Sequence, residues 1–279
     1  MKRKITTKMI DAFIEHLVIA EKSKNTILKY VHDVKFFASF AEGKRIDKIV
    51  TLKYKELLEE KYAATSANSM IASLNAFLRF VGWTECCVKQ LKVQRMVYCP
   101  EEKEITREEY VRLVNTAKSE GEEQLSLIMQ TICSLGIRIS ELEYITVESI
   151  YKGEAKVNCK GKIRKVFIVK DLQRLLIKYI KKENIVNGAV FVTKNGKPVN
   201  RSNVWRKMKE LCQKAQVDPQ KVFPHNLRHL FARTFYEIEK DIAKLADILG
   251  HSNINTTRIY IITTCCEHRK RMERMRLVI

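Results

Sequence analysis

The chain of 279 residues is 46% hydrophobic, which is enough for one or two domains with well-packed cores. It has no apolar run long enough to span a bilayer, and its first segment, MKRKITTKMIDAF, has no signal-peptide pattern, so we expect a cytoplasmic protein without membrane contact. Fifty-two Lys and Arg residues against 32 Asp and Glu leave a formal net charge of +20, an excess that favours a polyanionic partner over an ordinary solvated surface.

Residues 6–92 show helical patterns only. Apolar residues recur with helical spacing in four segments. The first is centred on residues 10–17, the second has a cap at Ser23, the third follows Thr51, and the fourth covers residues 65–81. This part of the chain therefore predicts a small four-helix domain, and lysines are frequent on the polar sides of its helices.

A linker and a second domain are expected next. Residues 93–104, VQRMVYCPEEKE, have no period, contain a proline and end in charges, which is typical of a linker. The second domain then covers residues 105–279. Thr106 and Glu109 have the spacing of a capping box, which begins a helix. Further on, Arg138 in LGIRISEL opens another helix.

Strand signals occur in one place. Residues 155–159 alternate between apolar and polar side chains, Lys160-Gly161-Lys162 forms a turn, and residues 165–170 return. This pattern predicts a β-hairpin with Lys160 at its tip, where a long cation can reach outward. The surrounding segments are helical, with predicted helices over 122–135 (ended by Gly136), 171–182 and 203–215.

The segment from residue 224 to 260, PHNLRHLFARTFYEIEKDIAKLADILGHSNINTTRIY, places His225, Arg228, His251 and Tyr260 across about three short helices. His225 and Arg228 stand three residues apart, so they share one face near a helix N-terminus. Backbone donors and the helix dipole favour an anion such as phosphate there. A glycine before His251 ends a helix and leaves this histidine on an exposed turn, and Tyr260 follows nine residues later.

Taken with Arg138, this segment resembles the tyrosine recombinases, the phage integrase and Xer-type family. The family pattern is an Arg in G-L-R-x-S-E-L, a Lys in a β-hairpin turn, H-x-L-R-H, L-G-H, and a Tyr nine residues further on. The resemblance makes six residues the catalytic candidates, with Lys162 as the second choice for the lysine. The candidates are Arg138, Lys160, His225, Arg228, His251 and Tyr260.

The resemblance also implies a fold that is mainly α with a small antiparallel β-sheet. In the family a helical, SAM-like core-binding domain precedes an α+β catalytic domain, and the matching segments here are residues 1–92 and 105–279. A C-terminal tail, residues 261–279, carries apolar side chains on one helical side. In the family this segment often docks on a neighbouring protomer, and the alternative is a tail that folds back on its own domain.

The implied activity is site-specific recombination of DNA without metal, ATP or any cofactor. Strands are cleaved and rejoined through a 3′-phosphotyrosyl intermediate and a Holliday junction, with Tyr260 as the nucleophile. A free phenol has a pKa near 10, so roughly one molecule in a thousand is ionised at pH 7, and the site must supply the difference. Lys160 protonates the leaving 5′ oxygen in this scheme.

The remaining candidates match the family's phosphate-binding groups. Arg138 and Arg228 are suited to clamp the two non-bridging oxygens, because guanidinium groups are planar and always charged. His225 and His251 bind the same phosphate, and one of them takes the phenolic proton. Glu141, one turn after Arg138, matches the family's acidic position and is expected to buttress the site.

The resemblance implies double-stranded DNA as the partner. We expect a monomer in free solution and a homotetramer on paired DNA sites. Two other functions remain open: a type IB topoisomerase-like nicking and closing enzyme, and a catalytically silent DNA-binding architectural protein. A zinc site is excluded at His225 and His229, because Asn226 stands where a zinc protease has its glutamate. The eight cysteines include no C-x-x-C and predict reduced thiols.

Overall fold

The computed structural model describes residues 3–42, 44–93, 104–159, 162–193, 195–260 and 272–275, except for the side chains of Cys159 and Lys162. The chain divides into two compact units, Met1–Arg95 and Met96–Ile279. Within the described ranges the structure is mainly α-helical with one two-stranded antiparallel sheet, as predicted. No helix in these ranges is long and apolar enough to cross a membrane. Most of the predicted linker and of the C-terminal tail lies outside them.

Four helices form the first unit, and side-chain caps begin three of them. The helices are α1 (Thr7–Ile19), α2 (Lys24–Phe40), α3 (Lys48–Lys61) and α4 (Ala64–Phe80), followed by a 3-10 turn, Thr84–Cys86. Ser23 caps α2 as predicted. Helix α3 begins earlier than predicted, because the Asp47 carboxylate accepts the backbone N–H of Val50 and caps it there. Thr51 lies inside α3 and donates its hydroxyl to the Cys86 carbonyl.

In the described part of the second unit, the structure has the sheet and the α-helices α5 to α12, and residues 272–274 are also helical. In chain order the elements are α5 (Arg107–Ser119), α6 (Glu123–Leu135), α7 (Val147–Lys152), β1 (Glu154–Cys159), β2 (Lys162–Phe167), α8 (Lys170–Lys182), α9 (Arg201–Ala215), α10 (Pro224–Glu239), α11 (Ile242–Leu249) and α12 (Ile254–Arg258). The predicted capping box of Thr106 and Glu109 begins α5. Helix α6 is buried along most of its length and packs against α5, α8, α9 and α10, so it forms the centre of the core.

The segment after α6 differs from its prediction. Gly136 ends α6 in the left-handed conformation, as expected, at φ +60°. Residues Ile139–Tyr144 then form a 3-10 helix instead of an α-helix. The Glu141 carboxylate turns back to accept the backbone N–H of Arg138 at 2.8 Å, while the Glu141 N–H donates to the Arg138 carbonyl at 2.8 Å. These two bonds tighten the first turn to the three-residue period.

The hairpin also starts and ends differently from its prediction. Strand β2 begins at Lys162 and ends at Phe167, whereas the sequence predicted residues 165–170. In the observed register Val157 pairs with Arg164, and Ala155 pairs with Val166. Ala155, Val157 and Val166 are buried, so this face of the hairpin is the inner one. Since side chains alternate along a strand, the register turns Arg164 inward as well.

Candidate active site

Arg228 lies at the centre of the site, on the second turn of α10. Its side chain is 1% exposed. The Nη1 group donates to the Gly136 carbonyl at 2.7 Å, and Nη2 donates to the Leu249 carbonyl at 2.7 Å and to Nε2 of His251 at 3.0 Å. The buried Nε has no hydrogen-bond partner within the described part of the chain. Burial and the charge of Arg138 lower the pKa of Arg228 to about 10, so it remains a cation at neutral pH.

Glu141 joins three arginines beneath this point. Its carboxylate is 2% exposed and accepts from Nη1 of Arg138 at 2.9 Å and from Nη2 of Arg164 at 2.7 Å. Nη1 of Arg228 lies 3.8 Å from the same carboxylate. Three guanidinium groups around one carboxylate leave an excess of two positive charges, which favours an anionic ligand at the exposed edge of the cluster. Arg138 is the most exposed of the three, at 31% of its side chain.

His251 lies on the turn after α11, which ends at Gly250 with φ +68°. Guanidinium N–H groups can only donate, so Nε2 of His251 accepts from Arg228, and Nδ1–H donates to the Thr257 hydroxyl at 2.9 Å. The turn was predicted to be exposed, but packing against these groups makes His251 half-buried. Burial and the charges of Arg228, Arg138 and Arg164 lower the pKa of His251 to about 4, so the ring is neutral at pH 7.

Tyr260 is buried inside its own subunit, with 2% exposure. Its ring centroid lies 4.3 Å from that of His229, 5.7 Å from that of His251 and 6.1 Å from that of His225. Its backbone N–H donates to the Thr257 carbonyl at 3.0 Å, just after the short helix α12. The phenol is thus enclosed by histidines of the same chain.

His225 and His229 occupy successive turns of α10. Their ring centroids are 4.8 Å apart. Burial and the charge of Arg228 lower the pKa of both rings, that of His229 to about 4. Both are therefore neutral at pH 7. In the described part of the chain no three His, Cys, Asp or Glu side chains come together as a metal-binding group.

A cavity of about 540 Å³ opens beside these groups. Its lining includes Arg138, His225 and Arg228, together with Arg201 and Trp205 from the first turns of α9. The cationic and imidazole groups face a space large enough for a phosphodiester and its neighbouring sugars. The cavity therefore provides a route from solvent to the arginine cluster.

The structure brings five of the six candidate residues together: Arg138, His225, Arg228, His251 and Tyr260. The sixth, Lys160, lies outside the described residues, as does the side chain of Lys162. Sequence reasoning missed two neighbours of the site, Arg164 and Thr257, and did not include His229, which packs on the Tyr260 ring, among the candidates. A correct β2 register would have pointed Arg164 inward; nothing in the sequence marks Thr257.

Two family models match the chain. The phage integrase family model matches residues 103–264, and the model of the phage integrase N-terminal SAM-like domain matches residues 10–85. The chain belongs to the phage integrase family. As a member of this family it is a tyrosine-type site-specific recombinase, with a mainly helical fold that combines a SAM-like domain and a catalytic domain.

Individual members of the family agree with this assignment. The tyrosine recombinase XerA of Pyrococcus furiosus is 28% identical over 286 residues, which cover 99% of this chain and 97% of the relative. The tyrosine recombinase XerD of Halalkalibacterium halodurans is 28% identical over 270 residues, covering 87% and 88% of the two chains.

Solved structures of the phage integrase family share the fold. The Tn1549 transposon integrase in complex with transposon right end DNA superposes with a TM-score of 0.74 at 16% identity, covering 96% of this chain and 98% of that one. A lambda integrase tetramer bound to a Holliday junction superposes with a TM-score of 0.69 at 17% identity, covering 91% and 76%.

Proposed function

We propose that this recombinase cleaves and rejoins DNA strands through Tyr260. The observation that carries the proposal is the enclosure of the Tyr260 ring by three histidines of its own chain, beside the Arg228 and Glu141 cluster. The phenolic oxygen attacks phosphorus, a 3′-phosphotyrosyl bond forms, and the bond to the 5′ oxygen breaks. Since the tyrosine packs in its own subunit's site, each protomer cleaves in cis.

Two arginines bind the scissile phosphate in this scheme. Arg138 offers an exposed guanidinium at the cavity. Arg228 has three of its five N–H groups engaged with Gly136, Leu249 and His251, and its guanidinium also interacts with the Tyr260 hydroxyl. Its Nε–H, which has no partner among the described residues, is the donor that we assign to the anion. The phosphate thus replaces water at a site whose donors are already oriented, which stabilises the pentacovalent transition state.

The reaction needs two proton transfers, one from Tyr260 to a histidine and one from Lys160 to the leaving 5′ oxygen. His225 and His251 have lowered pKa values, so both rings are neutral at pH 7 and one of them accepts the proton of Tyr260. For His251 this requires that its Nε2 first release the Arg228 N–H that it accepts in this structure. Lys160, in the segment that joins β1 to β2, donates a proton to the 5′ oxygen. The energy of the phosphodiester is retained in the phosphotyrosyl bond, so religation to a second strand, through a Holliday junction, requires neither ATP nor a metal ion.

The proposed partner is double-stranded DNA, bound as a monomer on one half-site and as a homotetramer on two paired sites. The net charge of +20 favours such a polyanion. Lambda integrase, which has the same fold, forms a tetramer on a Holliday junction. We assign residues 1–92 to DNA core binding, 93–104 to a linker and 105–279 to catalysis, and the two matched regions, 10–85 and 103–264, support this division.

A nicked suicide DNA that carries the recombination site tests the proposal. In EDTA and without nucleotide, the wild-type protein forms a covalent complex that survives denaturing electrophoresis, and Tyr260→Phe still binds the DNA but forms none. Tyr236→Phe is the matched control, because Tyr236 packs on the same hydrophobic cluster as Tyr260. A covalent band in Tyr260→Phe, or strict dependence on Mg²⁺, contradicts the mechanism. Relaxation of supercoiled DNA without the site would indicate a topoisomerase.

A further inference from the structure

Arg164 bridges two halves of the site from the inner face of β2. Its Nη2 donates to Oε2 of Glu141 at 2.7 Å, and its Nη1 donates to the carbonyl of Ile248 at 2.6 Å. Glu141 follows Arg138 in the 3-10 helix, whereas Ile248 lies in the last turn of α11, three residues before His251. One side chain therefore connects the hairpin to the segments that carry Arg138 and His251.

The Arg164 side chain packs closely against the backbone of Gly250. A Cβ atom at Gly250 would lie 2.7 Å from Cδ of Arg164, which is too close for real atoms, and 3.0 Å from its Nε, which is a tight contact. Gly250 also has φ +68°, so a side chain there would be strained in any case. Arg164 is 12% exposed, and its Nε is buried without a hydrogen-bond partner among the described residues. The guanidinium is enclosed by protein, so it does not reach a DNA phosphate.

We propose that Arg164 is a positioning residue for strand cleavage, a role that rests on the proposed function. It holds Glu141, which orients Arg138, and it holds the Ile248 carbonyl, which fixes the turn that carries His251. Both bonds are needed together, and only a planar fork with separate donors can make them at once. A lysine has the charge and three donors, but all three share one nitrogen, so it cannot place donors at both positions that Nη1 and Nη2 of Arg164 occupy.

The charge of Arg164 also affects the pKa of His251, which gives a second measurement besides the cleavage rate. Several groups face this imidazole from the elements packed around it: Arg228 and His225 from α10, Arg138 from the start of the 3-10 helix, Arg164 from β2, and Thr257 and Tyr260 from α12 and the residues after it. Arg164 is one of three arginines whose charges lower the pKa of His251. Its replacement by a neutral residue should raise that pKa, whereas Arg164→Lys, which keeps the charge, should leave it lowered. A rise in both variants would indicate loss of burial around His251 instead.

Three variants test the proposal: Arg164→Met, Arg164→Lys, and Lys165→Met as the control. Lys165 is the next residue on β2, faces outward with 59% of its side chain exposed, and loses the same charge. Three quantities are measured: single-turnover cleavage of the suicide half-site at saturating protein, the half-site Kd, and the pKa of His251 by NMR of ¹³C-labelled histidine in the free protein.

We expect Arg164→Met to lower the cleavage rate roughly 100-fold, since misplacement of catalytic groups by about 1 Å costs that much, while Kd changes about threefold or less. Arg164→Lys should remain at least about tenfold slow because one bond is missing. The pKa of His251 should rise in Arg164→Met, and it should stay at the wild-type value in Lys165→Met.

Cleavage by Arg164→Met at the wild-type rate overturns the proposal. A loss of DNA affinity as large as the loss of cleavage rate also overturns it, because Arg164 would then be a DNA contact. If Arg164→Met does not fold, Arg164→Lys decides: rates equal to wild type contradict the need for a fork. An unchanged pKa of His251 in a folded Arg164→Met variant also counts against it. If the wild-type protein itself forms no covalent complex, the proposed function is wrong instead. The NMR comparison of the His251 pKa then still tests the Arg164 contact.

Discussion

Burial disfavours the charged guanidinium of Arg228, and hydrogen bonds to the surrounding backbone compensate for this cost. A buried guanidinium without partners would cost several kcal/mol. Here the carbonyls of Gly136 and Leu249 accept from it, and Glu141 lies nearby. The same bonds join the end of α6 to the end of α11. Arg228 thus stabilises the domain and is also placed to bind phosphate, so its replacement should affect both folding and cleavage.

The leaving-group proton is best tested at the two lysines near the hairpin turn. A 5′ sulfur in place of oxygen leaves without a proton, because a thiol has a pKa of about 8.5. The Lys160→Met variant should cleave the oxygen substrate roughly 10²–10⁴-fold more slowly than the wild-type protein. It should cleave the sulfur substrate at nearly the wild-type rate, because that leaving group needs no proton. Lys162→Met, the matched control, should cleave both substrates well. If Lys162→Met shows the rescue instead, Lys162 is the general acid.

His229 should make the folded protein sensitive to acid. Its pKa is lowered from 6.5 to about 4, because burial and the neighbouring His225 and Arg228 disfavour its charged form. Between those values the unfolded chain binds a proton that the folded protein excludes, so the free energy of unfolding falls as pH falls from 6.5 toward 4. His251 contributes in the same direction.

Urea unfolding followed by circular dichroism between pH 7.5 and 4.5 measures this effect. His229→Gln should flatten the dependence of the unfolding free energy on pH, because it removes one of the two histidines whose pKa is lowered to about 4. His32→Gln, at an exposed position of α2, is the control and should keep the wild-type dependence. Identical curves for His229→Gln and wild type would contradict the prediction.

At the scale of elements, two glycines in the left-handed conformation differ in what surrounds them. Gly136 has φ +60°, and a Cβ there would lie 2.3 Å from Cδ1 of Phe231. Gly121 has φ +74° and nothing within 4 Å. Gly121→Ala should therefore cost only the backbone strain, about 1 kcal/mol. Gly136→Ala adds a steric clash between α6 and α10, beside the carbonyl that Arg228 uses.

We expect Gly136→Ala to lose more unfolding free energy than Gly121→Ala and to slow cleavage as well, since the clash displaces α10 from the Gly136 carbonyl. Urea unfolding gives the first quantity, and single-turnover cleavage at saturating protein gives the second. Equal stability and equal rates for the two variants would show that the α6 to α10 contact adjusts without consequence for Arg228.

At the scale of the whole molecule, we propose that the C-terminal tail docks on a neighbouring protomer and that assembly on paired sites depends on it. Residues 277–279 are Leu-Val-Ile, and a groove on a neighbouring protomer would bury them. Each such side chain contributes roughly 1.5–3 kcal/mol when buried, which biases assembly but does not hold a tetramer without DNA. Deletion of residues 270–279 should spare half-site binding in a gel-shift assay and abolish synapsis of two sites. Recombination at the wild-type rate by the truncated protein would show that the tail is dispensable.

Local signals in the sequence were sufficient for much of the fold. The capping box of Thr106 and Glu109, the stop at Gly136 and the helical periods predicted most helices within a few residues. The spacing of His225 and Arg228 placed both on α10 because three residues correspond to about one helical turn. Boundaries failed where a competing bond decided them, as with the Asp47 cap of α3 and the return of Glu141 to Arg138.

The sequence by itself determined the family pattern, the helical elements and the residue types of the site. Only the tertiary structure decided which groups meet. Arg164 reaches Glu141 across 23 positions of sequence, and Arg228 reaches the Gly136 carbonyl across 92. The lowered pKa values of the histidines also arise from burial and from these neighbouring charges. No local pattern encodes such effects, because burial and charge proximity exist only after distant segments have packed together.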